Sequence, residues 1–351
     1  MVSSRTIGIA VAAVAVVGIG AYAVSQNGGS TKKSDAYNVA LVTDGGGIDD
    51  KSFNQSAWEG LEAYGKANDL KKGVDGYNYF QSTSASDIKT NLQQAVKAGY
   101  KLVYGVGFAT ENGIKEVSKA NPKTNFAIID DVVSAKNVES LTFQSEQSSY
   151  LAGVAAAKTT KTDKVGFVGG IHGDVIDTFE AGFKAGVKSV NPKIQVITQY
   201  ADSFTDAAKG KTIAAAIYAN GADVIFQAAG GTGNGVFTEA KALNQKTAAA
   251  DKVWVIGVDR DQNADGAYTD KDGKTSNFTL ASALKRVDVA VEKVANDAKD
   301  GKFKGGKIEV FGLKDKGVDL TTNNLSDDAK AAVESARKAI LAGDVKVPVH
   351  P

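Results

Sequence analysis

The sequence contains no cysteine, and of its 351 residues only two are histidines and four are prolines. Without cysteine there is no disulfide, no thiolate metal site, no cysteine nucleophile and no site for lipid attachment at a cysteine. One histidine, His350, is the penultimate residue, which leaves His172 alone in the body of the chain. A histidine-based catalytic or zinc site therefore has almost nothing to draw on. Charge of one sign is also missing in excess: Lys plus Arg number 41 against 40 Asp plus Glu. Nothing here grips a phosphate backbone, so nucleic acid is not an expected partner. With 43% hydrophobic and 23% charged residues, the chain has the balance of a globular protein with a sizeable core.

The first 24 residues differ from the rest. Arg5 precedes an uncharged run of Ile, Ala, Val, Gly and Tyr over residues 7–24. As a helix this run reaches roughly 27 Å, near the thickness of a bilayer's hydrocarbon core. Ala21-Tyr22-Ala23 also fits the small-x-small pattern of a signal cleavage site. Residues 1–24 are read as a hydrophobic membrane anchor or signal helix, retained rather than cleaved. Residues 25–36 are polar and Gly-containing, a flexible spacer.

From residue 37 onward, short β-rich runs alternate with helical patterns. Strands are expected near 38–42, 77–80, 102–106, 126–129 and 141–143, with helices at 52–68, 84–98 and 111–119. A second series follows: strands at 165–168, 195–199, 224–228 and 253–258, with helices at 179–190, 206–220 and 235–243. This is the rhythm of parallel βαβ sheets, met twice. The fold class is α/β, two doubly wound parallel-sheet lobes joined by a hinge. The expected lobes are 37–145, with a returning segment near 281–303, and 146–280, with 304–325. Residues 326–351 are expected to form a C-terminal helix and tail.

In such sheets a ligand sits beyond the carboxyl ends of the strands. The residues to inspect therefore follow each strand: Thr43 to Gly47, Gly105 to Phe108, Asp130-Asp131, Gly169 to Gly173, Ala201 to Phe204, Gly230 to Gly235 and Asp259 to Gln262. Several imitate other motifs. Gly231-x-Gly233 lacks the third glycine of a dinucleotide fingerprint at its required offset. Asp261-x-Asn263-x-Asp265-Gly266 resembles a calcium loop, but its twelfth place holds Asp272 rather than Glu, which favours a polar surface loop. Asp49-Asp50 and Asp130-Asp131 are adjacent in sequence and so diverge, which suits turns or single ligands better than a catalytic pair. No cofactor and no metal is expected.

Taken in order, Asp44-Gly-Gly-Gly-Ile-Asp-Asp-Lys-Ser-Phe53-Asn-Gln, Gln147-Ser-Ser-Tyr-Leu-Ala-Gly153, Gly166-Phe-Val-Gly-Gly170, Phe179-Glu-Ala-Gly-Phe183, Ala229-Gly-Gly-Thr-Gly233 and Gly257-Val-Asp-Arg-Asp-Gln262 resemble the basic-membrane-protein family, substrate-binding proteins of bacterial ABC importers. The resemblance implies a type I periplasmic-binding-protein fold, a nucleoside ligand in the cleft, an ABC permease as partner and no catalysis. Some relatives take riboflavin, and a sugar or signalling ligand is the other alternative. It further implies that Asp44 accepts from the base edge, that Phe53 and Phe204 face the two sides of the base, and that Asp130 lies near the ligand. Gly230 or Gly231 lets backbone approach it, Asp259 and Lys285 hold the ribose hydroxyls, and Ser52 tunes base selectivity. Family members usually carry a lipidated cysteine after the signal. This chain has none, which is why residues 7–24 are expected to hold it at the extracytoplasmic face of the membrane.

Overall fold

The computed structural model describes residues 36–351; the expected anchor or signal at 1–24 and residues 25–35 of the spacer lie outside them. In the first half, β1 (Val39–Val42), α1 (Phe53–Ala67), β2 (Tyr77–Phe80), α2 (Ala85–Lys97), β3 (Leu102–Val106), α3 (Glu111–Ala120) and β4 (Asn125–Ile129) alternate, and β5 (Val138–Phe143) follows β4 directly. The second half contains α4 (Ser145–Thr159), β6 (Lys164–Gly169), α5 (Asp174–Val190), β7 (Gln195–Tyr200), α6 (Ala207–Ala219), β8 (Val224–Ala228), α7 (Gly233–Asn244) and β9 (Trp254–Asp259). A hairpin of β10 (Ala267–Thr269) and β11 (Thr275–Asn277) follows, then β12 (Thr279–Lys285), α8 (Val287–Lys299), β13 (Ile308–Phe311), β14 (Val318–Leu320) and α9 (Asp327–Ala342).

The strands form two large sheets, ordered β13-β5-β4-β3-β1-β2 and β14-β12-β9-β8-β6-β7. All pairs are parallel except β12 with β14. The two orders are the same arrangement used twice, each reversing direction between its first and third strands. Strands buried on both faces read as unbroken apolar runs, and β1 shows why. Val39 and Leu41 pack with α1 and α8 on one face, while Ala40 and Val42 pack with α2 and α3 on the other. In the second lobe Val165 and Phe167 face the α4, α5 and α9 side, and Val168 faces α6 and α7.

Helix α4 packs against α5 so closely that a Cβ on Gly186 would come within 2.1 Å of the Tyr150 carbonyl, and one on Gly182 within 2.3 Å of that of Glu146. Helix α9 begins at Ser326, whose hydroxyl accepts the Ala329 N–H, and ends at Gly343 with φ 81°. Both are strong end signals. Among the described residues no helix is long and apolar enough to cross a membrane.

The chain passes between lobes after Phe143, after Lys285 and after Phe311, and this corrects the expected division. Residues 281–285 are part of β12 and belong to the second sheet, so the returning segment starts at α8. Strand β13, expected in the second lobe with 304–325, instead pairs with β5 in the first; only β14 of that stretch joins the second sheet. An edge strand with Ile308 and Val310 exposed carries no signal of which sheet it completes.

Strand β13 is also tied to β5 through acids. Glu139 is fully buried; its Oε2 accepts the Lys304 N–H at 3.1 Å, and Oε1 has no conventional partner. Glu309 beside it pairs with Lys293 at 2.9 Å and Lys304 at 3.1 Å. Burial, together with the adjacent Glu309, pushes the Glu139 carboxyl up to about 7, whereas the lysine contacts outweigh burial at Glu309 and hold it down. Glu139 is thus the protonated member of the pair. The folded state holds this proton more tightly than the unfolded chain, whose glutamate titrates near 4.5. Stability should therefore fall as pH rises from about 4.5 to about 7, by on the order of 1–3 kcal/mol. Glu139→Gln keeps a donor without the proton and should lose that slope. Urea unfolding of both proteins at about pH 5 and about pH 8 checks this; parallel pH dependence would refute the raised affinity of Glu139 for its proton.

Candidate functional site

A cleft of about 580 Å³, counting the part open to solvent, lies between the carboxyl ends of the two sheets. The first lobe contributes Asp44 after β1, Phe53 and Asn54 from the start of α1, Gly107 and Phe108 after β3, and Asp130 after β4. From the second come Val175, Ile176 and Phe179 of α5, then Phe204, Gly230, Val258, Asp259 and Lys285. These are the strand ends flanking the reversal of strand order in each lobe, where open sheets hold ligands.

The lobes present matching backbone at matching strands. Gly107 after β3 and Gly230 after β8 have φ 91° and 56°; Asp130 after β4 and Asp259 at the end of β9 have φ 67° and 65°. Aspartate enters the left-handed region more readily than most residues, but still at a cost of about 1–2 kcal/mol. Asp130 is thereby turned onto a cation, and Asp259 lies within the field of the same charge. Lys285, the last residue of β12, is 2% exposed and forms an ion pair with Asp130. Its ammonium lies 4.5 Å from the centre of the Phe53 ring and 5.2 Å from that of Phe143. Burial raises the pKa of Asp130, with Lys285 opposing it; burial raises that of Asp259 to about 6 against Lys285 and the Ser52 hydroxyl.

Asp50 organises the α1 side. Its Oδ1 accepts the N–H groups of Ser52 (2.8 Å) and Gln55 (3.1 Å), and Oδ2 accepts that of Asn54 (2.9 Å). These satisfy otherwise orphaned donors at the helix start. The same stretch bridges the lobes. Asn234 Nδ2 donates to the Asp50 carbonyl (3.1 Å), Gln262 Nε2 to that of Lys51 (3.0 Å), and Lys51 pairs with Asp265 (2.8 Å). Arg260 meets Glu59 at 2.7 Å.

Of the residues expected from sequence, Asp44, Phe53, Asp130, Phe204, Gly230, Asp259 and Lys285 converge on this cleft. Two do not. Ser52 is fully buried, and its hydroxyl donates to Asp259 instead of facing the open space. Gly231 stands behind the wall, between the Phe204 carbonyl and Asp50. Phe108 also lines the cleft and meets the Phe204 ring edge to face at 6.1 Å. Phe108 falls within the post-strand segment inspected, yet its type alone did not single it out. Phe179, Val175, Ile176 and Asn54 were missed because they lie inside helices. The calcium-like loop holds a different chemistry: Asp265 pairs with Lys51, and Asp270 accepts N–H groups from Ala249, Asp272 and Lys274.

Residues 37–350 match the family described as ABC transporter substrate-binding protein PnrA-like. The chain is 54% identical over 341 residues, 97% of each chain, to a protein of Lactococcus lactis subsp. cremoris named ABC transporter nucleoside-binding protein BmpA. It is 55% identical to the CD4+ T-cell-stimulating antigen of Listeria monocytogenes, over 91% of this chain and 90% of that one. Basic membrane protein D of Borreliella burgdorferi is 34% identical over 90% and 89%. Among solved structures, an ABC transporter solute-binding protein from Aeropyrum pernix superposes with a TM-score of 0.75 at 25% identity, covering 89% of this chain and 93% of the other.

The Lys285 ion pair yields a test of the site's electrostatics. Lys285→Met leaves Asp130 and Asp259 buried without their counter-charge, which should cost about 3–5 kcal/mol of stability near neutral pH. The loss should shrink on acidification, as Asp130 takes up a proton in place of the missing ammonium. Adding Asp130→Asn should recover part of it. Denaturant unfolding of the three proteins across pH decides the matter; a Lys285→Met protein as stable as wild type at neutral pH would contradict it.

Proposed function

The chain belongs to the PnrA-like family of ABC transporter substrate-binding proteins, and on that premise we propose that it captures nucleosides, purine nucleosides first, outside the cytoplasm and hands them to an ABC permease. In this reading residues 7–24 keep it at the membrane, and the spacer at 25–36 lets the lobes reach the permease at raised effective concentration. The protein binds its ligand and releases it chemically unchanged.

One observation carries the reading: a cleft whose walls are aromatic from both lobes and aliphatic from the second, and whose polar groups are nearly all acceptors. Phe53 comes from one lobe and Phe204 from the other, flat surfaces suited to a planar base. Asp130, Asp259 and Lys285 at the lobe junction suit a ribose, whose hydroxyls both donate and accept. Four carboxylates, Asp44, Asp50, Asp130 and Asp259, meet one lysine there, so a phosphate would be repelled. The name of the Lactococcus relative agrees with this choice of ligand.

Calorimetric titration with a nucleoside, its free base, ribose and its 5′-monophosphate tests the proposal. The nucleoside should bind far more tightly than the monophosphate. Phe204→Leu should lose stacking worth about 1–3 kcal/mol, or roughly 5- to 150-fold in affinity. A monophosphate that matches its nucleoside, or ribose that outcompetes it, would end the nucleoside assignment.

A further inference from the structure

Helices in an α/β lobe run against their strands, so the end of the first lobe farthest from the cleft carries the last turns of its helices and the loops leading into its strands. Every helix there closes with a lysine: Lys66 in α1, Lys97 in α2, Lys119 in α3 and Lys299 in α8. Lysine suits that place because it answers the negative end of the helix dipole. The loops add more than this requires. Lys71 and Lys72 follow α1, Lys123 lies between α3 and β4, Lys136 precedes β5, and Lys302, Lys304 and Lys307 connect α8 to β13. All of these are exposed. Of the loop lysines, only Lys302 and Lys304 form ion pairs among the described residues, with Asp300 and Glu309. Against them stand Asp69, Asp75, Asp297 and Asp300, of which Asp297 already meets Lys293 and Asp300 meets Lys302.

Two asparagines hold this end together. Asn38 Nδ2 donates to the carbonyls of Val74 (2.8 Å) and Gly99 (3.2 Å), which ties the loops after α1 and α2 to the start of β1. Asn137 Nδ2 donates to those of Ser118 (3.1 Å) and Thr124 (2.9 Å), which ties the end of α3 to the start of β5. The chain also enters the fold here: Lys101 Nζ donates to the Ala36 carbonyl at 2.7 Å, and Asn125, the first residue of β4, donates to the Tyr37 hydroxyl at 2.9 Å. The spacer, with its own Lys32 and Lys33, therefore joins the lobes at this basic end. A formal net charge of +1 conceals the separation. Asp44 and Asp130 stand at the far ends of β1 and β4, roughly 15 Å away at about 3.3 Å per residue. That exceeds the Debye length of about 8 Å at physiological salt, so the cleft acids do not cancel the lysines.

We propose that this end of the first lobe is a membrane-facing surface that docks on anionic phospholipid headgroups. The proposal builds on the reading that residues 7–24 keep the chain at the membrane, and adds which end of the fold faces the lipid. The attachment point selects a bilayer over other polyanions, because the spacer at 25–36 spans at most roughly 40 Å even when fully extended. Each lysine near an anionic bilayer contributes about fivefold in affinity. A fixed set of them orients the lobe against the surface, with the cleft on its far side. The second lobe supplies an internal control, since Lys161, Lys188, Lys193 and Lys246 occupy the corresponding helix ends and strand entrances and are exposed as well.

The experiment reconstitutes the full chain in vesicles of phosphatidylcholine, alone or mixed with phosphatidylglycerol, and reads the acetylation rate of each lysine by mass spectrometry. In the anionic vesicles Lys97, Lys123, Lys136 and Lys307 should react about threefold or more slowly than in the neutral ones, and salt at about 0.5 M should erase the difference. Lys161, Lys188, Lys193 and Lys246 should react alike in both. Lys123→Glu combined with Lys136→Glu should remove the protection of Lys97 and Lys307 without lowering the melting temperature. Lysines that serve only their helix ends would show no protection at either end of the molecule, which overturns the proposal. Equal protection at both ends overturns it too, as diffuse attraction without a preferred face. A chain that leaves both kinds of vesicle in high salt ends the anchor reading instead, and the lysine protection at low salt still decides the surface.

Discussion

Lys285 occupies the point on which the two lobes agree. It ends the strand that brings the chain back from the second lobe, it is almost wholly buried, and its charge is answered by Asp130 from the first lobe. Taking an ammonium out of water costs several kcal/mol unless a carboxylate meets it there. That requirement constrains much else: Asp130 must be turned inward at a strand end, Asp259 shares the same field, and the rings of Phe53 and Phe143 close around the ammonium. A charge placed so expensively at the junction makes the relation between lobes depend on electrostatics as well as on apolar packing.

Asp50 plays a comparable part on the other flank of the cleft. A single carboxylate collects three N–H groups at the start of α1 and an amide from Asn54, so the helix cannot begin without ordering the residues that line the site. The adjoining backbone carbonyls receive donors from the second lobe. Local capping and lobe-to-lobe bridging are thus performed by the same few residues. A change that melts the first turn of α1 would disturb the site and its closure together.

The alternation of strands and helices was readable because strands buried on both faces are continuous apolar runs and their helices have a clear polar side. Helix α4 was not readable. It is buried nearly all round and lined by small residues where α5 approaches, so no face contrast marks it. The pairing of β13 was illegible for a related reason: its partner lies far back along the chain, and its outer face is open. At the site, acids and glycines after strands were found by position alone, whereas Asn54 and Phe179 sit within helical patterns and gave no sign. Ser52 was expected at the ligand because some relatives of the resembled family have a polar amide at that place. Its hydroxyl is committed to Asp259, a long-range contact that no local pattern could report.

The repeated layout of the lobes sharpens what the cleft can distinguish. Gly107 and Gly230, like Asp130 and Asp259, occupy equivalent strand ends in left-handed conformations, so the backbone frame is close to symmetric. The side chains added to it are not. The first lobe supplies Asp44 and Asn54, the latter with an Oδ1 that has no hydrogen-bond partner among the described residues, while the second supplies Val175, Ile176 and Phe179 from α5. A symmetric frame gives rigid support from both sides, and the asymmetry of its lining then dictates which end of a ligand points where. Acceptors at one end, a lysine paired with Asp130 at the junction and flat apolar walls between them are what the proposed nucleoside ligand would meet. Raised pKa values at Asp130 and Asp259 belong to the same logic, because burial that makes these acids reluctant to ionise is burial that water has already left. Hydrogen bonds offered by a ligand in that setting meet little competition from solvent, which is where such a cleft derives its selectivity.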